Sequence, residues 1–199
     1  YSGHGTHVAG IIGAVRNNGI GISGVAPNVR LMALKTHNAD GKTYSNGIYR
    51  ALAYAVSNGA QVSNNSYGGY LPSPQMENLI DAAARVGHVF VAGAGNEETN
   101  TDITPSYPAS YKNNSIISVA AVDQSGQMTS WSNYGPENVD VVAPGRDIFS
   151  TINNDGYGWL SGTSMAAPHV TGLVALMRSI EPNLVPSAIR DILIATSLP

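Results

Sequence analysis

The chain has 199 residues, of which 43% are hydrophobic and 12% are charged, and its formal net charge at pH 7 is -3. This composition is typical of one folded globular domain, and it argues against disorder and against two separate domains. The sequence has no basic cluster, no cysteine and no run of 18 apolar residues. It therefore predicts no nucleic-acid binding, no disulfide and no membrane span.

Helix-like and strand-like segments alternate along the chain. A helix is predicted to begin at His4 and to continue to Val15, and residues 29–34 are predicted as a strand. Residues 44–58 and 75–86 carry apolar side chains at helical spacing, and a glycine follows each of them. Glycine is the residue that most often ends a helix, so both segments are predicted as amphipathic helices.

The second half of the chain continues this alternation. Residues 88–92, 116–122 and 139–143 are apolar runs that are predicted as buried strands, and residues 163–180 and 186–196 are predicted as helices. Near-continuous apolar strands between helices indicate an α/β fold in three layers, with a mostly parallel sheet covered by helices on both faces. Ligands of such sheets bind at the carboxyl ends of the strands, and the polar motifs fall there.

Ser164 stands at the predicted start of a long helix, in the motif Gly162-Thr-Ser-Met-Ala-Ala-Pro-His. The unpaired N–H groups and the positive end of the dipole at a helix start can stabilise an oxyanion, which suits a nucleophilic serine. Serine is also favoured there as a simple helix cap. The Gly-x-Ser-x-Gly elbow of lipases is not matched, because Ala166 occupies its last position.

The motif Gly3-His-Gly-Thr-His7 opens the first predicted helix. Two histidines three residues apart can bind a metal on one helical face, can be structural, or can supply a general base to a serine. The zincin pattern needs a glutamate between its histidines, and none is present here. The spacing alone does not choose among these roles.

Asn96 ends the segment Val91-Ala-Gly-Ala-Gly-Asn, directly after a predicted buried strand. Glycines there allow a substrate backbone to approach, and the asparagine amide supplies two hydrogen-bond donors. The same residues are also typical of an ordinary turn. His37 and His88 are interpreted as loop or strand-edge residues without a catalytic role.

The three motifs at His4, Asn96 and Ser164, in this order, resemble the subtilisin family of serine proteases, the subtilases, over essentially the whole chain. The resemblance implies a serine endopeptidase that hydrolyses peptide bonds through an acyl-enzyme at Ser164. His4 would be the general base, and the Asn96 side chain and the Ser164 N–H would hold the oxyanion. The resemblance also implies protein or peptide substrates, a secreted monomer, a propeptide that assists folding, and no catalytic cofactor.

Substrate-binding and metal-binding residues are likewise implied by the resemblance. The substrate would lie between two edges and a pocket wall, formed by Gly41, Ser66, Tyr67, Gly68, Gly93, Ala94 and Gly95. Glu97 and Ser106 would lie near the far end of that pocket, where an acid favours basic or polar groups. A structural Ca²⁺ is expected at the loop 16–22, where oxygen ligands would come from Arg16, Asn18, Ile20 and Ile22.

The triad aspartate of the family is missing from its expected place. Only Tyr1-Ser-Gly3 precedes His4, and the first aspartate along the chain, Asp40, lies in a glycine turn. We therefore expect residues 1–199 to be a single peptidase domain without its N-terminal segment, which would supply a central strand and the acid. Such a chain alone should have little or no activity. The alternative is a non-catalytic binding or scaffold domain that has lost the acid.

Overall fold

Five helices and six strands make up the regular structure of the described residues, 3–38, 40 and 42–197, in this computed structural model. The helices are α1 His4–Gly13, α2 Ser45–Ser57, α3 Pro74–Arg85, α4 Thr163–Ile180 and α5 Pro186–Thr196. The strands are β1 Val62–Asn65, β2 Val89–Gly93, β3 Ile116–Val122, β4 Val141–Pro144, β5 Ile148–Ile152 and β6 Gly156–Leu160.

The first four strands form one parallel sheet in the order β1-β2-β3-β4, and β5 and β6 form a separate antiparallel hairpin. The register places Val91 opposite Ile117 and Val119 opposite Val141. Parallel neighbours cannot be joined by a tight turn, so the chain crosses over between them, and α3 makes the crossover from β1 to β2.

Apolar side chains fill both faces of the parallel sheet. On one face, Val89 and Val91 pack with Val174 of α4 and Ile189 of α5. On the other face, the alternate residues of β2 pack against α2 and α3 in a second cluster that includes Ile80. Because β2 is covered on both sides, its sequence is continuously apolar, as parallel strands usually are. The predicted fold class, an α/β fold with a mostly parallel sheet between helices, is confirmed.

Local sequence signals set the ends of the helices. The Ser73 side chain accepts a hydrogen bond from Met76 N at 3.3 Å, and Pro74 occupies the first turn of α3. A serine cap followed by proline is a strong signal for a helix start. The α4 helix begins after Gly162, and the bounds of α4 and α5 agree with those predicted from apolar spacing.

The strand predicted at residues 29–34 is wrong, because this segment has no strand conformation in the structure. A strand requires a neighbour for its backbone hydrogen bonds, and no strand pairing among the described residues involves this segment. Its side chains Leu31 and Met32 are exposed. Conversely, the short polar strand β1 and the β5–β6 hairpin were not predicted.

Candidate active site

Ser164 is the second residue of α4, where backbone N–H groups lack partners within the helix. Thr163 N donates to Asn96 Oδ1 at 2.8 Å, and the two amides after Ser164 both donate to Gly162 O. These bonds leave the Ser164 N–H without an acceptor among the residues that the structure describes. A free donor therefore lies next to the serine hydroxyl.

Asn96 is held so that its amide oxygen faces the start of α4. Its Oδ1 accepts the Thr163 N–H, and Gly95 N donates to Thr163 Oγ1 at 3.2 Å, which ties the two segments together. Within the described part of the chain, Asn96 Nδ2 makes no hydrogen bond. The point where a side chain at Gly162 would place its Cβ lies 3.8 Å from Asn96 Nδ2 and 3.6 Å from Ser164 N. Asn96 Oδ1 lies 3.6 Å from the same point. The two donors therefore both lie within 3.8 Å of one point beside Gly162.

A row of polar contacts on the α4 side of β1 joins that strand to the serine. Ser66 Oγ donates to Ser164 O at 3.0 Å, and Ser164 Oγ lies 3.5 Å from Ser66 O. Asn64 Nδ2 donates to Ser66 Oγ at 2.9 Å, and Thr171 Oγ1 donates to Asn64 Oδ1 at 3.0 Å. No sequence motif marked Asn64 or Thr171 as part of the site.

His4 is the first residue of α1, which packs against α4. Met165, the residue after Ser164, is buried in a cluster with Val8 and other apolar side chains of α1. Burial lowers the pKa of His4, and the neighbouring His7 and His37 lower it further. Among the described residues no carboxylate acts on this imidazole, so it is neutral near pH 7 and able to accept a proton.

His7 has a structural environment distinct from that of His4. It is fully buried, and its Nε2 contacts Ile148 O at 3.0 Å and Gly158 O at 3.1 Å, which fastens the hairpin to α1. Burial lowers its pKa. Across the described residues, no group of three or more histidine, cysteine, aspartate or glutamate side chains is arranged to hold a metal ion.

A pocket of about 120 Å³ opens beside Ser164 and Asn96. Most of the predicted substrate-binding residues line it, namely Ser66, Tyr67, Gly68, Gly93 and Gly95. Glu97 and Ser106 also line it. Ala94, which was also predicted to bind substrate, is fully buried and does not line the pocket, and its N–H donates to Val119 O. The predicted Gly41 lies outside the described residues.

Asn133 is a buried member of the site that sequence reasoning missed. Its Nδ2 donates to Ala94 O at 3.0 Å and to Glu97 Oε2 at 2.8 Å, and its Oδ1 accepts from Glu97 N and from Thr99 N. It therefore fixes the loop after β2 and orients the acid of the pocket. No local pattern marks this asparagine, because all the partners of its side chain lie more than 30 residues away along the chain. Tyr70 and Thr163, which also line the pocket, were missed too.

The loop 16–22, where a calcium ion was expected, is exposed. The ligands expected there are the Asn18 side-chain oxygen and the main-chain carbonyls of Arg16, Ile20 and Ile22. Asn18 Oδ1 accepts a hydrogen bond from Ile20 N at 3.0 Å, so one of its lone pairs is already used. Neutral oxygens suit Ca²⁺ chemically, but a set without a carboxylate binds it weakly.

Comparisons with known proteins agree with these features. A family model described as the subtilase family matches residues 1–198. Thermophilic serine proteinase from Bacillus sp. (strain AK1) is 48% identical over 176 residues, which cover 88% of this chain and 42% of that protein. Subtilisin DY from Bacillus licheniformis is 42% identical over 197 residues, which cover 98% of this chain and 70% of that protein. A cold adapted subtilisin-like serine proteinase has a similar crystal structure, with a TM-score of 0.86 and 32% identity, covering 97% of this chain and 67% of that chain.

The chain spans only part of several of these relatives. It covers 42% of the thermophilic proteinase and 51% of subtilisin E from Bacillus subtilis, which is 43% identical. No helix in the described residues is long and apolar enough to cross a membrane.

Proposed function

Because the chain belongs to the subtilase family of serine proteases, we propose that it is a serine endopeptidase with Ser164 as its nucleophile. The observation that carries this proposal is a pair of donors, Asn96 Nδ2 and the Ser164 N–H, which have no acceptor among the described residues and lie within 3.8 Å of one point beside Gly162. Hydrogen-bond donors preorganised in this way stabilise the negative oxygen of a tetrahedral intermediate.

In the proposed mechanism, Ser164 Oγ attacks the carbonyl carbon of the scissile peptide bond while His4 takes the hydroxyl proton. The carbonyl oxygen becomes an oxyanion that accepts hydrogen bonds from Asn96 Nδ2 and Ser164 N. His4 then gives its proton to the leaving amine, and an acyl-enzyme remains on Ser164. Water, deprotonated by His4, hydrolyses the ester and regenerates the serine.

The lowered pKa of His4 favours the neutral base but does not stabilise the imidazolium that forms during the reaction. A buried carboxylate performs that task in serine proteases and contributes about 10⁴ in rate. The described residues place none beside His4, so we expect them alone to turn over substrate slowly.

Protein or peptide substrates would bind along the edge Ser66–Gly68 by main-chain hydrogen bonds, with one side chain in the pocket. The Glu97 carboxylate lines this pocket, and its Oε2 is already held by Asn96 N at 2.9 Å and by Asn133 Nδ2. Its negative charge favours a basic or polar substrate side chain over an acidic one.

A fluorophosphonate probe tests the proposal, because it reacts covalently only with an activated serine. We expect labelling at Ser164, mapped by peptide mass spectrometry, and none in the Ser164→Ala variant. The labelling rate should be about 10⁴ lower than that of a subtilisin with a complete triad, measured in parallel. No labelling of the folded protein, even after an exposure about 10⁴ times longer than the subtilisin control needs, would refute catalysis and favour a binding or scaffold role. Labelling at the full subtilisin rate would refute the account of the missing acid.

We also propose that the loop 16–22 binds a structural Ca²⁺ weakly, through Asn18 Oδ1 and the neighbouring carbonyls. The melting temperature should rise with millimolar Ca²⁺ and should not rise in the Asn18→Ala variant, with Mg²⁺ as the control ion. An equal rise for both proteins would place the ion elsewhere. The extracellular location, the monomeric state, the single domain and the propeptide remain predictions.

A further inference from the structure

A second row of hydrogen bonds runs along β1, on the face opposite the one that contacts Ser164. Side chains alternate between the two faces of a strand, so residues 63 and 65 share one face, and Tyr67 follows two residues after Asn65. Tyr67 donates its hydroxyl to Asn65 Oδ1 at 2.9 Å, and Asn65 Nδ2 donates to Ser63 Oγ at 2.9 Å. Ser63 Oγ lies 2.9 Å from Nε2 of His88, whose Nδ1 lies 2.7 Å from Ala60 O.

The donors of this row all point in one direction. Ala60 O can only accept, so Nδ1 of His88 carries the proton, and its Nε2 must accept the hydroxyl of Ser63. Asn65 Nδ2 then donates to Ser63, and Tyr67 donates to Asn65. Hydrogen bonds aligned in this way polarise one another and fix the positions of their members.

The neighbouring positions of β2 on this face are apolar. Ser63 and Asn65 stand opposite Phe90 and Ala92 of β2, which belong to the core cluster with α2 and α3. Asn65 is 5% exposed and His88 is 2% exposed. A row of buried polar groups is costly unless each is satisfied, and an apolar strand would pack here more simply. We therefore expect the row of hydrogen bonds from His88 to Tyr67 to have a role other than stabilising the fold.

The outer end of the row lies at the substrate groove. Tyr67 lines the pocket beside Ser164, and its ring centroid is 6.2 Å from that of His37. Burial raises the pKa of the Tyr67 hydroxyl, so it remains a neutral donor at physiological pH. The other end, at His88, lies at the opposite end of β1, where the strand begins.

We propose that Ser63, Asn65 and His88 are positioning residues, which hold the Tyr67 ring in place as a fixed wall of the substrate groove. This inference rests on the proposed function, because it assigns the groove to a peptide substrate. The row preorganises the groove of the free protein for substrate binding and does not contact the reacting atoms. It therefore lowers KM and leaves kcat nearly unchanged.

A double-mutant cycle between the two ends tests this role. Peptide binding is measured by calorimetry in a Ser164→Ala background, with succinyl-Ala-Ala-Pro-Phe-p-nitroanilide as the probe. Ser63→Val and Tyr67→Phe should each weaken binding about three- to tenfold, the effect of one hydrogen bond of ordinary net strength. The double variant should bind no more weakly than the weaker single variant, because both changes break the same row.

Matched controls separate positioning from general destabilisation. Ser63→Thr restores the hydroxyl in the same shape as valine, so it should bind like the parent. Ser118→Ala removes a buried sheet hydroxyl that has no hydrogen-bond partner in the described structure, and it should also bind normally. If Ser63→Val does not fold, Ser63→Ala replaces it, with Ser63→Thr as the same rescue.

Three outcomes would overturn the inference: additive effects in the cycle, equal binding by the Val and Thr variants, or a fall in kcat in place of the rise in KM when Ser164 is intact. Failure of the proposed function looks different. In that case, the fluorophosphonate probe does not react with Ser164, whether or not the cycle shows coupling.

Discussion

Exchanging Asn96 for aspartate or for leucine separates the two hydrogen bonds that this side chain is able to make. Oδ1 accepts the Thr163 N–H at 2.8 Å, which is a structural bond, and Nδ2 is the free donor proposed for the oxyanion. Aspartate keeps the acceptor and removes the donor, whereas leucine removes both. The structure therefore predicts different orders of the variants for activity and for stability.

Loss of one oxyanion donor costs about 10²–10³ in kcat, the size known for the asparagine donor of subtilisin, and this is the expectation for Asn96→Leu. Asn96→Asp should lose more, because its carboxylate repels the developing oxyanion. For stability the order reverses. Leucine leaves the N–H of Thr163, a residue that is 2% exposed, without its acceptor, which costs about 1–3 kcal/mol. Aspartate keeps the bond, and its charge suits the start of α4.

The assay is kcat on a peptide p-nitroanilide together with the free energy of unfolding from urea titration, for the parent and both variants. We expect activity in the order Asn, Leu, Asp, and stability with Asn and Asp close together above Leu. An Asp variant as active as the parent would refute the donor role of Nδ2. An Asp variant as unstable as the Leu variant would refute the orientation of the amide.

Three further predictions concern the buried polar groups. The unfolding free energy should fall as the pH drops from neutral through about 6.5 and below. The reason is that four histidines with lowered pKa values bind protons more readily in the unfolded chain, namely His4, His7, His88 and His169. Urea titration at several pH values checks this, and a flat profile would contradict it. Gly95→Ala should lower the free energy of unfolding by about 1–3 kcal/mol and should reduce kcat/KM. The φ of Gly95 is +110°, and an added Cβ would lie 2.2 Å from Asn133 Nδ2. Unchanged kinetics would contradict this prediction. Thr171→Val should lower kcat several-fold, because it removes the hydroxyl that holds the Asn64 side chain. Thr171→Ser keeps this hydroxyl and should keep the parent kcat. Equal kcat values for the two variants would refute a role for the hydrogen bond between Thr171 and Asn64.

Elements with a strong local pattern were predictable from the sequence. The helix at 163–180 has a glycine before it and an apolar stripe along it, and its bounds were correct. The strand predicted at 29–34 was wrong, because an apolar segment becomes a strand only when a partner lies beside it. The strand β1 was missed for the opposite reason. Its sequence Val-Ser-Asn-Asn is mostly polar, and only pairing with β2 and side-chain partners far along the chain make it part of the sheet.

The sequence by itself determined the order of the motifs around His4, Asn96 and Ser164, and with them the fold class and the family. Only the tertiary structure decided which donors are free. The hydrogen bond that orients Asn96 joins residues 67 positions apart. The row of hydrogen bonds that ends at Tyr67 begins at His88, the residue before β2. Such hydrogen bonds depend on where distant segments meet, and no local pattern of residue types records that meeting.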